Sequence, residues 1–331
     1  MSQSRSRPAL RLAASTLALT AAVVVVAWMP VSTPARASLT ALPSNAVAFD
    51  SDRTGNFEIF TMKAEGTDQT QLTDDSSYDS WWPKISPDRT KILFNRTPAG
   101  VHDRDYKQVS TWLMNIDGTG LTQTLARGAY GWTIQGHAEW SPDGTKIVTM
   151  GGSSSNSQVY IVNADGTNPF NVTNGRGGMN IDPSWSPSGT KLLFIGCPIF
   201  ICFVQNYEVY TINADGSGLT RLTSDSTRDH DPYFSPDAST IAWLRNPGGG
   251  TVWSIFKMNP DGSGQIAVID DGAVNSKPEW AANSNTIWFH RIPSGGSYFN
   301  IWKVLKSGTR LAEVILPRPA YNNEFPDRGT P

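Results

Sequence analysis

One short turn recurs six times in this chain, and its spacing dictates the architecture. An apolar strand runs into Asn or a similar residue, then Asp-Gly or a close variant, then Thr or Ser. The copies are MKAEGT (62–67), MNIDGT (114–119), VNADGT (162–167), INADGS (212–217), MNPDGS (258–263) and VLKSGT (304–309). Their glycines, Gly66, Gly118, Gly166, Gly216, Gly262 and Gly308, stand 52, 48, 50, 46 and 46 residues apart. Six copies at that interval mean an array of like units, each too small to bury its own core.

A second pattern interleaves with the first: an aromatic strand, Ser-Pro-Asp-Gly, then an apolar strand. It reads PKISPDRTKILF (83–94), HAEWSPDGTKIVTM (137–150), PSWSPSGTKLLFI (183–195), PYFSPDASTIAWL (232–244) and PEWAANSNTIWFH (278–290), with a degenerate FPDRGTP (325–331) at the end. Pro presets φ and Gly accepts positive φ, so Pro-Asp-Gly makes a tight turn. Asp-Gly between strands is a hairpin signal. Each unit is therefore a four-stranded antiparallel sheet of 40–50 residues, the size of a propeller blade. The chain opens on a second strand (46–49) and ends on a first strand (325–329). The reading is an all-β, six-bladed propeller closed by pairing the N- and C-terminal strands, which removes an open edge.

The WSPDGTK run at 140–146, with Asp just before Pro183 and Pro232 and Y-x-x-N-x-D-G at 160–166 and 210–216, resembles the TolB-type, WD-like propeller repeat. The resemblance covers residues 46–331. It implies the propeller part only, because the α/β domain that precedes it in TolB has no counterpart in the few residues between Ala37 and the first strand. TolB works in a periplasmic complex with a peptidoglycan-associated lipoprotein, and related propellers serve as oligogalacturonate lyases. The resemblance thus implies fold and leaves function open.

Residues 1–37 read as a Sec-type signal. Arg5, Arg7 and Arg11 precede an uncharged run at 13–29, and Ala35-Arg36-Ala37 offers a small-x-small cleavage site. An uncleaved anchor is the competing reading, but 17 residues are short for the hydrocarbon core. The domains expected are thus a signal at 1–37 and a propeller at 38–331, with no membrane span after cleavage and an extracellular, periplasmic or envelope location. The segment holds four Arg and no acid, which leaves 23 basic against 29 acidic residues, about −6. That balance argues against nucleic acid. The two cysteines, Cys197 and Cys202, either form a disulfide or remain two reduced apolar residues; without His neighbours they give no metal signal.

Catalytic signatures are missing: there is no G-x-S-x-G elbow, no H-E-x-x-H and no P-loop. The expectation is a monomeric, non-enzymatic scaffold that binds protein or peptide, with a carbohydrate-binding or carbohydrate-cleaving propeller as the alternative. No cofactor is expected, apart from a channel cation such as calcium. The candidate ligand groups lie in segments read as loops at the channel mouth. They are Asp182, Asp229, His230, Asp231, Asn180, Asn275 and Asn323, with Trp81 and Trp132 as stacking platforms. The competing reading has the polar groups tying neighbouring blades and the tryptophans packed between them. His102, His137 and His290 carry no signal of their own. The charged insertion at 96–108 reads as solvated decoration on the mouth face.

Overall fold

The computed structural model describes residues 40–197, 207–248, 250–315 and 320–329. Residues 1–37, read above as an export signal, and Cys202 lie outside the described residues; Cys197 does not stand as a free thiol. Among the described residues, no helix is long and apolar enough to cross a membrane.

The turn chemistry forms as the residues dictate. In Ser-Pro-Asp-Gly, the Asp143 carboxylate accepts the Thr145 N–H at 3.0 Å and the Ser141 hydroxyl at 2.6 Å. Asp88 and Asp237 repeat this in their own blades. Each carboxylate satisfies the donors of a tight turn, a structural task. The glycine of the second turn does two jobs. Gly166 has φ +84°, and a Cβ there would lie 2.1 Å from the Thr124 carbonyl of the neighbouring blade. Gly66 stands in the same relation to Val314 O, at 2.2 Å. The repeat glycine is where one blade meets the next.

These turns organise six four-stranded antiparallel sheets. Blades 2 to 6 run in sequence from their inner strands, Tyr78–Ile85, Ile134–Trp140, Asn180–Trp185, Arg228–Phe234 and Val274–Trp280. Blade 1 is built from both ends: Asn323–Asp327 is its inner strand, followed by Ala46–Ser51, Glu58–Lys63 and Thr70–Gln71. The closing pair is antiparallel, with Ala48 opposite Asp327 and Ser51 opposite Asn323. The six-bladed, end-paired propeller expected from the repeats is the fold observed.

The core lies between blades. Alternate residues of a strand face opposite sides, so each sheet feeds two cores. Val148, Val159 and Ile161 of blade 3 pack on Leu192, Phe194 and Ile212 of blade 4. Val47, Phe49 and Phe60 of blade 1 pack on Trp288 and Ile301 of blade 6, which seals the ring.

One local expectation changes. The segments read as channel-mouth loops are the first halves of the inner strands, and they line the channel wall. Each inner strand carries a bulge, marked by a register shift against its neighbour. At each bulge sits a non-glycine residue with positive φ: Trp82 (56°), His137 (52°), Asp182 (50°), Asp231 (50°), Lys277 (52°) and Phe325 (47°). Five of the six precede a proline, which lacks an N–H and so wastes no ladder donor where pairing is interrupted.

Candidate functional site

The bulge places six side chains of five kinds at one depth in the channel, all at most 9% exposed. A left-handed backbone at a non-glycine residue costs on the order of 1–2 kcal/mol and persists only where the surroundings impose it. Here the surroundings are the other five members. Trp82 stacks on His137 at 4.3 Å and lies 5.2 Å from Phe325. Lys277 pairs with Asp231 at 2.7 Å, and its ammonium lies 4.1 Å from the Trp82 ring centroid. His137 and His230 turn their Nδ1 atoms onto the two oxygens of Asp182, the latter at 2.9 Å. Burial pushes the Asp182 carboxyl up, but His137, His230 and Lys277 outweigh it and hold it well below the usual carboxylate range.

The insertion expected to be solvated folds inward over this layer. The Asp79 carboxylate accepts the N–H groups of Gly100, Val101 and His102 at 2.7, 3.1 and 3.0 Å, which fixes its path. His102 stacks on Phe57 and meets Asp50 at 3.3 Å. Tyr106 contacts Asp103, and its hydroxyl lies 2.6 Å from His137 Nε2. His290 completes the set, accepting the Phe325 N–H on Nδ1 at 2.9 Å, which makes that nitrogen an unprotonated acceptor. All four histidines of the protein therefore surround the channel, although only His230 carried a sequence signal. An alignment of the repeats on the prolines of their Ser-Pro turns, Pro142, Pro187 and Pro236, would have placed His137 in the same column as Asp182 and Asp231.

The candidate residues divide. Asp182, His230 and Asp231 face the channel. Asp229 instead accepts two bonds from Arg245, at 2.8 and 3.1 Å, and one from Trp243. Asn180 bonds Ser157 O and accepts from Arg176; Asn275 bonds Trp253 O and accepts from Arg291; Asn323 accepts from Arg53 and donates to Asn300. These four occupy the position two residues before the bulge and hold the strands and loops around them. Trp81 is fully buried, against Tyr106 and Phe325. Trp132 packs on Tyr160 and over Gly151.

Two residues past the bulge comes a second layer: Lys84, Glu139, Ser184, Tyr233, Glu279 and Asp327. Lys84 is its one cation. It contacts Glu279, lies 3.0 Å from Glu139 and 3.8 Å from Asp327, and sits 5.0 Å from the Tyr233 ring centroid. The Tyr233 hydroxyl donates to Glu139 at 2.6 Å. Beneath this layer, on the Ser-Pro-Asp-Gly face, a cavity of about 80 Å³ opens. Its floor is Glu139, Glu279 and Asp327, its walls Trp140, Trp185, Trp280, Tyr233 and Phe234, and its rim Pro142, Pro187 and Pro236. Among the described residues no three His, Cys, Asp or Glu side chains are set to share a metal ion.

Burial dominates the protonation of this interior. It raises Glu279 and Glu324; Lys84 and His102 respectively oppose the rise, neighbouring carboxylates reinforce it, and both reach about 8. Burial lowers His102, but the Asp50 hydrogen bond and charge reverse this and lift it to about 9. Burial holds His290 well below its ordinary range, helped by Lys277 and His102. The signs follow from linkage. Glu279 and Glu324 bind protons in the folded state that the unfolded chain has lost, so stability falls as pH rises from about 5 to about 8. His102 adds stability that is lost between about pH 6.5 and 9, whereas His290 costs stability below about 6.5. Thermal melts at constant ionic strength should therefore fall by several degrees from pH 6 to pH 9, the range over which Glu279, Glu324 and His102 all lose stability. A melting temperature rising steadily over pH 6–9 would contradict this.

A closed ring of six four-stranded blades around a self-paired ionic channel defines a six-bladed β-propeller. The sequence and fold are similar to those of TolB-type propellers. It is 27% identical over 257 residues to the Tol-Pal system protein TolB of Bordetella pertussis, a match covering 62% of this chain and 57% of that protein. It is 27% identical over 175 residues to a TolB homolog of Chlorobium luteolum, covering 53% of this chain and 35% of that one. The matches thus span about a third to just over half of these relatives' length. The crystal structure of TolB from Acinetobacter baumannii superposes with a TM-score of 0.68 at 14% identity, covering 86% of this chain and 66% of that one. No protein-family model matches the chain.

Proposed function

We propose that this chain is a docking module of the cell envelope or its exterior, which holds a protein or peptide segment at the Ser-Pro-Asp-Gly end of its channel. The observation that carries this reading is the asymmetry of the channel. Its mouth end is filled by the chain's own insertion through His102 and Tyr106, whereas the opposite end opens into a cavity walled by five aromatic rings. Rigid aromatic surfaces with a proline rim offer large contact area at low entropic cost, as protein-recognition sites do. The export segment and the likeness to a Tol-Pal system protein support an envelope location.

The test is a photo-crosslinking residue placed at Phe234, on the cavity wall, with Leu121 on the outer surface as control. In the exporting cell, a discrete protein adduct at 234 and not at 121 is the expected result. Equal adducts at both positions, or capture of glycan at 234 without protein, would overturn the reading.

A further inference from the structure

We propose that the cavity beneath the second layer receives one cationic side chain, an arginine guanidinium or lysine ammonium, from the docked protein. The inference rests on the docking reading above and names the chemistry of what docks.

The charge count at the floor is unequal. Three carboxyl groups, from Glu139 of blade 3, Glu279 of blade 6 and Asp327 of blade 1, converge on one ammonium, Lys84 of blade 2. Glu279 is the most open of the three, its side chain 14% exposed, and it lines the cavity. An anionic ligand meets repulsion there, and an apolar one would strip water from a carboxyl and return nothing. A cation gains twice, from the carboxyl floor and from the faces of the aromatic walls. The protein already uses that combination on itself, since Lys84 sits among the same carboxylates 5.0 Å from the Tyr233 ring centroid. The volume fits as well: about 80 Å³ holds roughly half a dozen water-sized groups, enough for a guanidinium and the end of its stem.

Without a ligand the imbalance is relieved by a proton. The groups facing Glu279 are Lys84, Glu139, Asp327 and Tyr233, and burial with Glu139 and Asp327 overcomes the pull of Lys84 to bring it to about 8. An entering cation takes that proton's place, so binding releases it and strengthens as pH rises towards 8.

The experiment titrates the purified protein with acetyl-Gly-Gly-Xaa-Gly-Gly-amide peptides, where Xaa is arginine, lysine or citrulline, the neutral near-isostere of arginine. Binding is followed by the indole N–H resonances of Trp140, Trp185 and Trp280. Arginine and lysine peptides should shift these resonances and bind at least about ten-fold more tightly than the citrulline peptide. Their affinity should rise by up to about ten-fold from pH 6.5 to 7.5. Glu279→Gln should lose about ten-fold for arginine, while Glu65→Gln, on an exposed turn, should lose none. Citrulline binding as tightly as arginine, or no indole shift with any peptide at millimolar concentration, would overturn the cationic pocket. The crosslink at position 234 reports separately on docking and can survive that failure. The citrulline comparison uses the unmodified protein, so it decides the matter even if Glu279→Gln folds poorly.

Discussion

Ending the chain after Tyr321 is expected to abolish the cooperative melt of the propeller. The removed strand is only Asn323–Asp327, but it supplies one of six inner walls and pairs with Ala46–Ser51. Its loss strips the Asp327 carboxylate from the Ile85 N–H (2.7 Å), the Asn323 carbonyl from Arg53, and the Phe325 N–H from His290 (2.9 Å). Each buried group left unpaired costs about 1–3 kcal/mol. Removing the buried Phe325 ring from between Trp81, Trp82 and His290 adds about 3–5 kcal/mol. The sum is comparable to the roughly 5–15 kcal/mol that keeps a domain folded. Ala46–Ser51 would also become a bare edge, open to pairing with another chain. Circular dichroism melts and sedimentation should show a broad transition and aggregation. A sharp melt within a few degrees of the full chain would refute this account of ring closure.

Lys84→Met should be the most damaging single substitution in the interior. The shape of the side chain is nearly kept, so the loss is electrostatic: Glu139, Glu279 and Asp327 keep their place and lose the ammonium on which they converge. Removing one partner of a buried ionic cluster costs about 3–5 kcal/mol, or about 5–8 °C in a domain of this size. The deficit should widen as pH rises through about 8, because Glu279 can release its proton beside Lys84 in the intact protein, whereas in the variant it must keep that proton. Adding Glu279→Gln to Lys84→Met should recover at least half of the loss, since the two sites share one cluster. An unchanged melting temperature for the single variant, or no recovery in the double, would show that the carboxylates find other partners.

The sequence was most legible where backbone chemistry repeats. Gly66, Gly166 and their equivalents mark places where a Cβ would strike the adjacent blade, so the interval between glycines measured the blade itself. The closing strand was visible because the repeat opens on a second strand and a lone first strand follows the last complete blade. The interior was less legible, because the bulge changes the phase of every inner strand. Simple alternation gives Asp229 and Asp231 the same face, yet Asp229 lies against Arg245 and Trp243 while Asp231 pairs with Lys277 in the channel. Trp82, His137, Asp182, Asp231, Lys277 and Phe325 share a backbone state but range from aromatic to acidic to basic, so their side chains do not announce a common position. His102 and Tyr106 reach the channel through a loop fixed by Asp79, a long-range contact that local pattern does not contain.

The bulge also bears on how such a molecule can diverge. An indole, an imidazole, two carboxylates, an ammonium and a phenyl ring all tolerate the same left-handed residue at the same depth. The scaffold therefore separates what the axis is made of from how it is built. Each sheet contributes one letter to a six-letter word, and exchanging a letter alters charge and shape along the axis while strand register and turns stay as they are.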